Sequence, residues 1–222
     1  MLAYASRTGT RRNLDALRRA GWRLLVSATG VHRTEGFPYA LDNGAWTAHQ
    51  RGEPWREDLF VELVEKLGHG SDWIVAPDIV GGGLESLALS REWIPRLTGR
   101  SRVLLAVQDG MRPWDVASML GPDTGIFVGG STEWKLDTLP QWGALAAERG
   151  CWLHVGRVNS ARRIRLCLDA GATSFDGTSA SRFAVTIPRL DNVRRQMHLF
   201  DAVVAHQGLG VEGGEGGSDG ET

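Results

Sequence analysis

Cysteine is scarce: the chain of 222 residues has two, Cys151 and Cys167, too few for a disulfide framework. Neither belongs to a CxxC pair, and no Cys/His group has the spacing of a structural zinc site. Both lie in apolar surroundings, which reads as buried free thiols in a reducing compartment such as the cytoplasm. Apolar runs long enough to span a bilayer are missing, as is an apolar segment at the N-terminus, so neither a membrane partner nor a signal peptide is expected. No apolar run is followed by GxGxxG; the GGG at 81–83 follows DIV but lacks that spacing and an acidic partner, which argues against a dinucleotide-binding sheet.

The formal net charge of -1 hides an asymmetry. The last fifteen residues, GLGVEGGEGGSDGET, hold four acidic groups and no basic one, so without them the balance is 25 minus 22, or +3. This acidic, glycine-rich tail at 208–222 has nothing to bury and is expected to be disordered. The mildly basic body, 1–207, permits a nucleic-acid partner without demanding one.

What the body does have is regular alternation. Short apolar runs at 2–6, 23–28, 38–44, 72–78, 102–110, 125–130, 151–156 and 173–177 read as eight strands. Amphipathic segments between them read as helices, notably RRNLDALRRAG, REDLFVELVEKLG, ESLALSREWIPRL, TLPQWGALAAERG and NSARRIRLCLDAG, with a closing helix at 191–207. Parallel strands need such crossovers, and eight of them close into a barrel. The expected fold is a compact α/β chain of the TIM type, a (β/α)8 barrel in a single domain over 1–207.

The groups that end these strands are polar. Asp42 ends YALD, Asp78 ends IVAPD, Gln108 ends LLAVQ, Gly129 and Gly130 end IFVGG, and Asp176 ends SFD. In a parallel barrel all of them point into one mouth, the face that carries catalytic groups. One such carboxylate could simply cap the next helix; three of them, a glutamine and a diglycine on one rim point to a site. Two carboxylates can divide the work of nucleophile and proton carrier at a glycosidic carbon. A further Asp and a Gln can read a planar heterocycle through its N–H, amino and carbonyl groups. Glycines let the backbone approach a ligand oxygen closely.

These segments, in this order, resemble the tRNA-guanine transglycosylases, and most of all their short DNA-modifying relatives in phages and bacteria. LDNGAW at 41–46 looks like the family's Asp-Ser-Gly-Gly-Phe, APD at 76–78 like its base-reading Asp segment, and AVQDG at 106–110 like its Val-Gln-Gly-Gly. FVGGS at 127–131 is similar to its Gly-Gly-Leu, and 154–182 to the stretch from Gly-Val-Gly through the nucleophile to a Thr-Arg pair. The resemblance covers about residues 38–185 and rests on the ordered series rather than on any one motif. It implies a barrel enzyme, a pentosyltransferase needing no cofactor and no catalytic metal, that exchanges guanine for a 7-deazaguanine by double displacement. By match Asp176 would attack C1′ and Asp42 would serve as acid and base. Asp78 would bind the N1/N2 edge, Gln108 and the Gly129–Gly130 backbone the O6 side, and Trp46, standing for the family's Phe, could wall the base or belong to the core.

The chain departs from that pattern at Asn43 and Ala45, and it lacks the zinc-binding subdomain and long insertions of the tRNA enzymes. DNA is therefore the preferred macromolecular substrate, with tRNA as the alternative, and preQ0 or a derivative as the incoming base. The host cytoplasm is its place if a phage carries it. A guanine in duplex DNA must leave the stack to reach such a pocket, so phosphates need basic partners near the rim. Arg157, Arg162, Arg163 and Arg182 follow strand ends, and Arg182 stands six residues beyond Asp176. His154 lies inside an apolar strand and reads as structural. Rival readings are a non-catalytic purine or 7-deazaguanine binder, a nucleoside hydrolase or transferase, and a barrel enzyme whose carboxylates hold Mg²⁺. A homodimer or an accessory protein is left open as a further partner.

Overall fold

Period-two alternation decides which side chains fill the interior of a parallel sheet closed on itself. The computed structural model describes residues 1–7, 10–182 and 184–195, apart from the side chains of 181 and 182. Its eight strands are β1 (Leu2–Ser6), β2 (Arg23–Ser27), β3 (Tyr39–Asp42), β4 (Trp73–Val75), β5 (Arg102–Val107), β6 (Thr124–Val128), β7 (Leu153–Val155) and β8 (Ser174–Asp176). They form one closed barrel in chain order, every pair parallel, with Tyr4 of β1 in register with Asp176 of β8. The protein is a (β/α)8 barrel.

Alternate residues turn inward. Tyr4, Leu25, Ala40, Trp73, Val75, Leu104 and Ala106 make one buried cluster, joined by Phe127 and Trp152. Their neighbours in sequence, among them Ala5, Leu24, Val26, Leu41, Ile74, Val103 and Ile126, belong to a second and larger cluster with the helices. Strands packed on both faces need apolar residues at nearly every position, which is why they read as short continuous runs. Outside lie α1 (Arg11–Ala20), α2 (Ala45–Arg51), α3 (Glu57–Leu67), α4 (Gly83–Leu97), α5 (Pro113–Val116), α6 (Thr132–Arg149), α7 (Ala161–Asp169) and α8 (Thr178–Arg182). Gly21 ends α1 as expected, in the left-handed conformation at φ 67°, with its N–H turned back to the carbonyls of Leu17 and Arg18.

Departures from the sequence reading cluster at the strand ends. β3 stops at Asp42, because the Asn43 side chain accepts the Ala45 N–H at 2.8 Å and opens α2, a helix the periodicity does not announce. β4 stops at Val75, two residues short of Pro77, so Asp78 stands on the following loop rather than on the strand. Helix α6 begins at Thr132 instead of Thr138, because Ser131 caps it by accepting the Trp134 N–H at 3.4 Å. Cys167 is buried as expected, whereas Cys151 is only partly so. Residues 187–195 are helical; the rest of the expected closing helix and the 208–222 tail lie outside the described residues. Among the described residues no helix is long and apolar enough to cross a membrane.

Helix α6 meets the chain after α7 at Gly143, where a methyl group would fall on the Ala170 carbonyl oxygen. Backbone cannot yield as a flexible side chain can, so this clash outweighs the roughly 1 kcal/mol that alanine gains over glycine in a helix. Gly143→Ala should lower stability by about 2 kcal/mol in denaturant titration. Gly121→Ala, where nothing lies within 4 Å and φ is not positive, should stay within about 0.5 kcal/mol of the parent.

Candidate active site

The C-terminal ends of the strands surround a cavity of about 860 Å³. It exists because the uppermost inward positions carry small residues, Ser6, Ser27, Ala106 and Gly129 among them. At Gly156 a Cβ would stand 2.9 Å from the Phe127 ring and 3.4 Å from Asp176 Oδ2. Any larger residue there would press on both groups. Asp42, Asp78, Gln108, Gly129, Gly130, Trp46, Arg157 and Asp176 all line this one cavity, so the structure gathers most of the residues singled out in the sequence.

Asp42 is the last residue of β3, in register with Ser27 of β2. It is half-buried and lines the cavity. That burial raises its carboxyl to about 7, helped by repulsion from Asp176 and Asp78; hydrogen bonds from Ser27 and the Gly44 N–H oppose the rise. Asp78 is also raised by burial, partly offset by a hydrogen bond from Asn43. The connecting group is Asn43, which is buried. Its Nδ2 donates to Asp78 Oδ1 and to the Ala76 carbonyl, both at 2.8 Å, and its main-chain carbonyl accepts the Trp55 indole N–H at 2.9 Å. Asn43 thus ties β3, the loop after β4 and the segment before α3 together. In the sequence it stands out only as a departure from the family's serine.

Asp176 ends β8 and is buried. Its Oδ1 accepts the Arg157 main-chain N–H at 3.2 Å, and its Oδ2 lies 3.1 Å from His154 Nε2. Arg157 adopts φ 60°, a left-handed conformation that few residues other than glycine take up. That turn presents its N–H to Asp176 and sends its guanidinium the other way, onto the Gly130 carbonyl and 4.1 Å from the centre of the Trp46 ring. Trp46 follows β3 and Arg157 follows β7, which are opposite strands in a ring of eight, so this contact spans the mouth. Trp46 is 38% exposed and belongs to the cavity wall, not the core.

Other groups take partners that the sequence did not suggest. The Gln108 amide is committed at both ends, donating to the Ile79 carbonyl at 2.8 Å and accepting the Gly81 N–H at 2.6 Å. It therefore holds the 79–81 loop, and would have to release those bonds to read a heterocycle. The Gly129 N–H is likewise engaged, with the Val107 carbonyl at 2.8 Å. Arg162 is exposed and Arg163 lines a small crevice with Lys135 and Cys167, so neither lines the cavity. Arg182 ends α8, and its side chain lies outside the described residues. Lys135 of α6 escaped the sequence reading altogether. It is buried, donates to the Gly156 carbonyl, and burial lowers its ammonium to about 8. Among the described residues no three of His, Cys, Asp and Glu are grouped so as to hold a metal ion.

The sequence matches no protein-family profile and no curated protein. Its fold does match solved structures. A chain from Coccidioides immitis described as a fructose-1,6-biphosphate aldolase superposes with a TM-score of 0.55, over 94% of this chain and 92% of that one. At 11% identity the likeness is one of fold alone.

Asp42 also sets a dependence of stability on pH. Its folded-state value is raised above that of the unfolded chain, so the folded protein binds the extra proton and loses stability as pH rises from about 4 towards 7. Asp42→Asn removes that penalty. The variant should exceed the parent by about 2 kcal/mol at pH 8, with cavity water trimming the full linkage value, and match it near pH 4 in parallel denaturant titrations.

Proposed function

We propose that this chain is a transglycosylase that exchanges guanine in DNA for a 7-deazaguanine, preQ0 or a derivative, through a covalent glycosyl-aspartate intermediate. The observation that carries this reading is the pair of carboxyl groups in one cavity with different surroundings. Asp42 is raised to about 7 and can carry a proton near neutrality, while Asp176 accepts hydrogen bonds on both oxygens. The ordered resemblance over about residues 38–185 supports the same assignment. So does the volume of the cavity, within the range of roughly 300–1,000 Å³ usual for small-molecule sites.

In the first half-reaction an Asp176 carboxylate oxygen attacks C1′, the C1′–N9 bond breaks, and protonated Asp42 neutralises the departing guanine. In the second, Asp42 as carboxylate takes the N9 proton of the incoming base. That nitrogen then forms a bond to C1′ and the ester to Asp176 breaks, restoring both groups. Asp78 is suited to the amino and N1 edge of the base, since a carboxylate accepts from both. Trp46 offers a ring face to the heterocycle. Arg157 joins the Trp46 side of the mouth to the Gly130 side, and its guanidinium suits a phosphate of a flipped nucleotide entering there.

Incubating the protein with DNA carrying labelled guanine, and in parallel with labelled tRNA, in the presence of unlabelled preQ0 tests the assignment. Label should leave DNA, and Asp176→Ala should abolish both that release and the trapped sugar–protein adduct. Release from tRNA alone would reverse the substrate assignment, and release by Asp176→Ala at the parent rate would remove the mechanism.

The two half-reactions need opposite states of Asp42, and this separates them by pH. Base release in a single turnover should slow as pH rises through about 7, because Asp42 then loses the proton it delivers. Uptake of the new base by the isolated adduct should slow as pH falls through about 7. Asp42→Asn should flatten both profiles while lowering both rates by roughly 10²–10⁴-fold.

A further inference from the structure

Three side chains approach Asp176 from below, on strand β8 and along β7. The Trp152 indole N–H donates to Ser174 Oγ at 2.8 Å, Ser174 Oγ lies 2.8 Å from His154 Nδ1, and His154 Nε2 lies 3.1 Å from Asp176 Oδ2. The donor direction follows from the two ends. An indole N–H can only donate, so the Ser174 oxygen accepts there and keeps its own proton for the next partner. A carboxylate can only accept, so the hydrogen between His154 and Asp176 sits on Nε2. A neutral imidazole has one N–H, which leaves Nδ1 as the acceptor of the Ser174 hydroxyl. Every donor and acceptor along the line is then used once, all pointing towards Asp176.

The ring has little freedom to do otherwise. His154 is fully buried, stacked on Phe127 at 4.8 Å between centres and 27° between planes, with Trp73 at 4.6 Å and Tyr4 at 5.8 Å on its other sides. Burial lowers its pKa, with Lys135 adding to that effect, and the hydrogen bond and charge of Asp176 oppose it, so the imidazole is neutral. Asp176 and Lys135 are the charged groups that act on it. Its partner carboxylate is held on the other oxygen by the Arg157 main-chain N–H.

We infer that His154 is a positioning residue for the reaction, and that Trp152 and Ser174 lock its imidazole in the Nε2–H tautomer so that the Asp176 carboxylate keeps one orientation beneath the substrate. This rests on the reading of Asp176 as nucleophile. His154 does not line the cavity and touches no substrate; it acts through the oxygen it holds. While Oδ1 or Oδ2 carries the sugar, its partner oxygen keeps a donor, and the carboxylate that reforms on release finds both donors waiting. An imidazole locked in the other tautomer would offer Asp176 a lone pair instead of a hydrogen, and the carboxylate would turn away.

The tautomer is measurable without any substrate, by ¹⁵N NMR of the labelled full chain with the His154 resonances identified by their loss in His154→Gln. The parent should show the Nε2–H form at neutral pH, since burial lowers the imidazole from its ordinary value. Ser174→Ala removes the donor to Nδ1 and should yield a mixture of tautomers. Its single-turnover base release should fall by roughly 10–100-fold with KM changed less than about twofold, as for loss of a group that orients a reacting one. His154→Gln, which can still donate an N–H to Asp176, should release base about tenfold faster than His154→Phe, which cannot. A purely structural role would lower the melting temperature of both His154 variants and leave their rates alike. An Nδ1–H tautomer in the parent, or a Ser174→Ala variant that keeps one tautomer and the parent rate, overturns the inference. Absence of any base exchange by the parent would instead remove the assigned reaction, and the tautomer would still decide whether the chain of donors runs as inferred.

Discussion

A carboxylate taken out of water must find donors or a proton, and the mouth of this barrel is arranged around that requirement. Three acids converge on it, and each meets the requirement in its own way. Asp78 takes the side-chain N–H of Asn43. Asp176 takes an imidazole N–H on one oxygen and a main-chain N–H on the other. Asp42, raised first by desolvation and then by its two neighbours, holds a proton up to about pH 7. Burial does most to make Asp42 an acid, and repulsion from Asp176 and Asp78 adds to it.

The rest of the mouth follows from keeping those acids at the edge of an open space. Small residues at the top of the strands create the cavity, and Gly156 keeps the ring of Phe127 and the Asp176 carboxylate from being pushed apart. Arg157 reconciles two demands, one main-chain and one side-chain. Its left-handed backbone costs of order 1–3 kcal/mol. In return its N–H reaches Asp176 while its guanidinium crosses to Trp46 and Gly130. Gln108, Asn43 and the Asp109–Ser131 pair do the corresponding work for the loops, binding main-chain groups that open turns leave unpaired.

Much of this could be read along the chain. Eight apolar runs with helical spacers specified the barrel, and the polar residues ending four of those runs pointed to one rim, because parallel strands all present the same end. Asp42, Gln108, Gly129 and Asp176 could be found from position alone. What escaped was whatever depends on a partner distant in sequence. Gln108 has the right chemistry for a base edge, but a loop nearly thirty residues earlier in the chain takes both ends of its amide. Asn43 looked like a departure, yet it ties Asp78 to β3. His154 looked like a buried histidine and is one, but its partner is the carboxylate that ends the next strand.

The sequence by itself determined the order of the strands and of the main crossover helices, the barrel, and the set of polar residues at its mouth, since these rest on local periodicity and on strand direction. Only the tertiary structure decided which of those residues are free and which are already engaged, that Arg157 and Trp46 meet across the mouth, that Arg162 and Arg163 do not line the cavity, and that Asp42 differs from Asp176. Protonation, donor direction and occupancy are properties of pairs and of burial, and burial exists only once eight strands have closed.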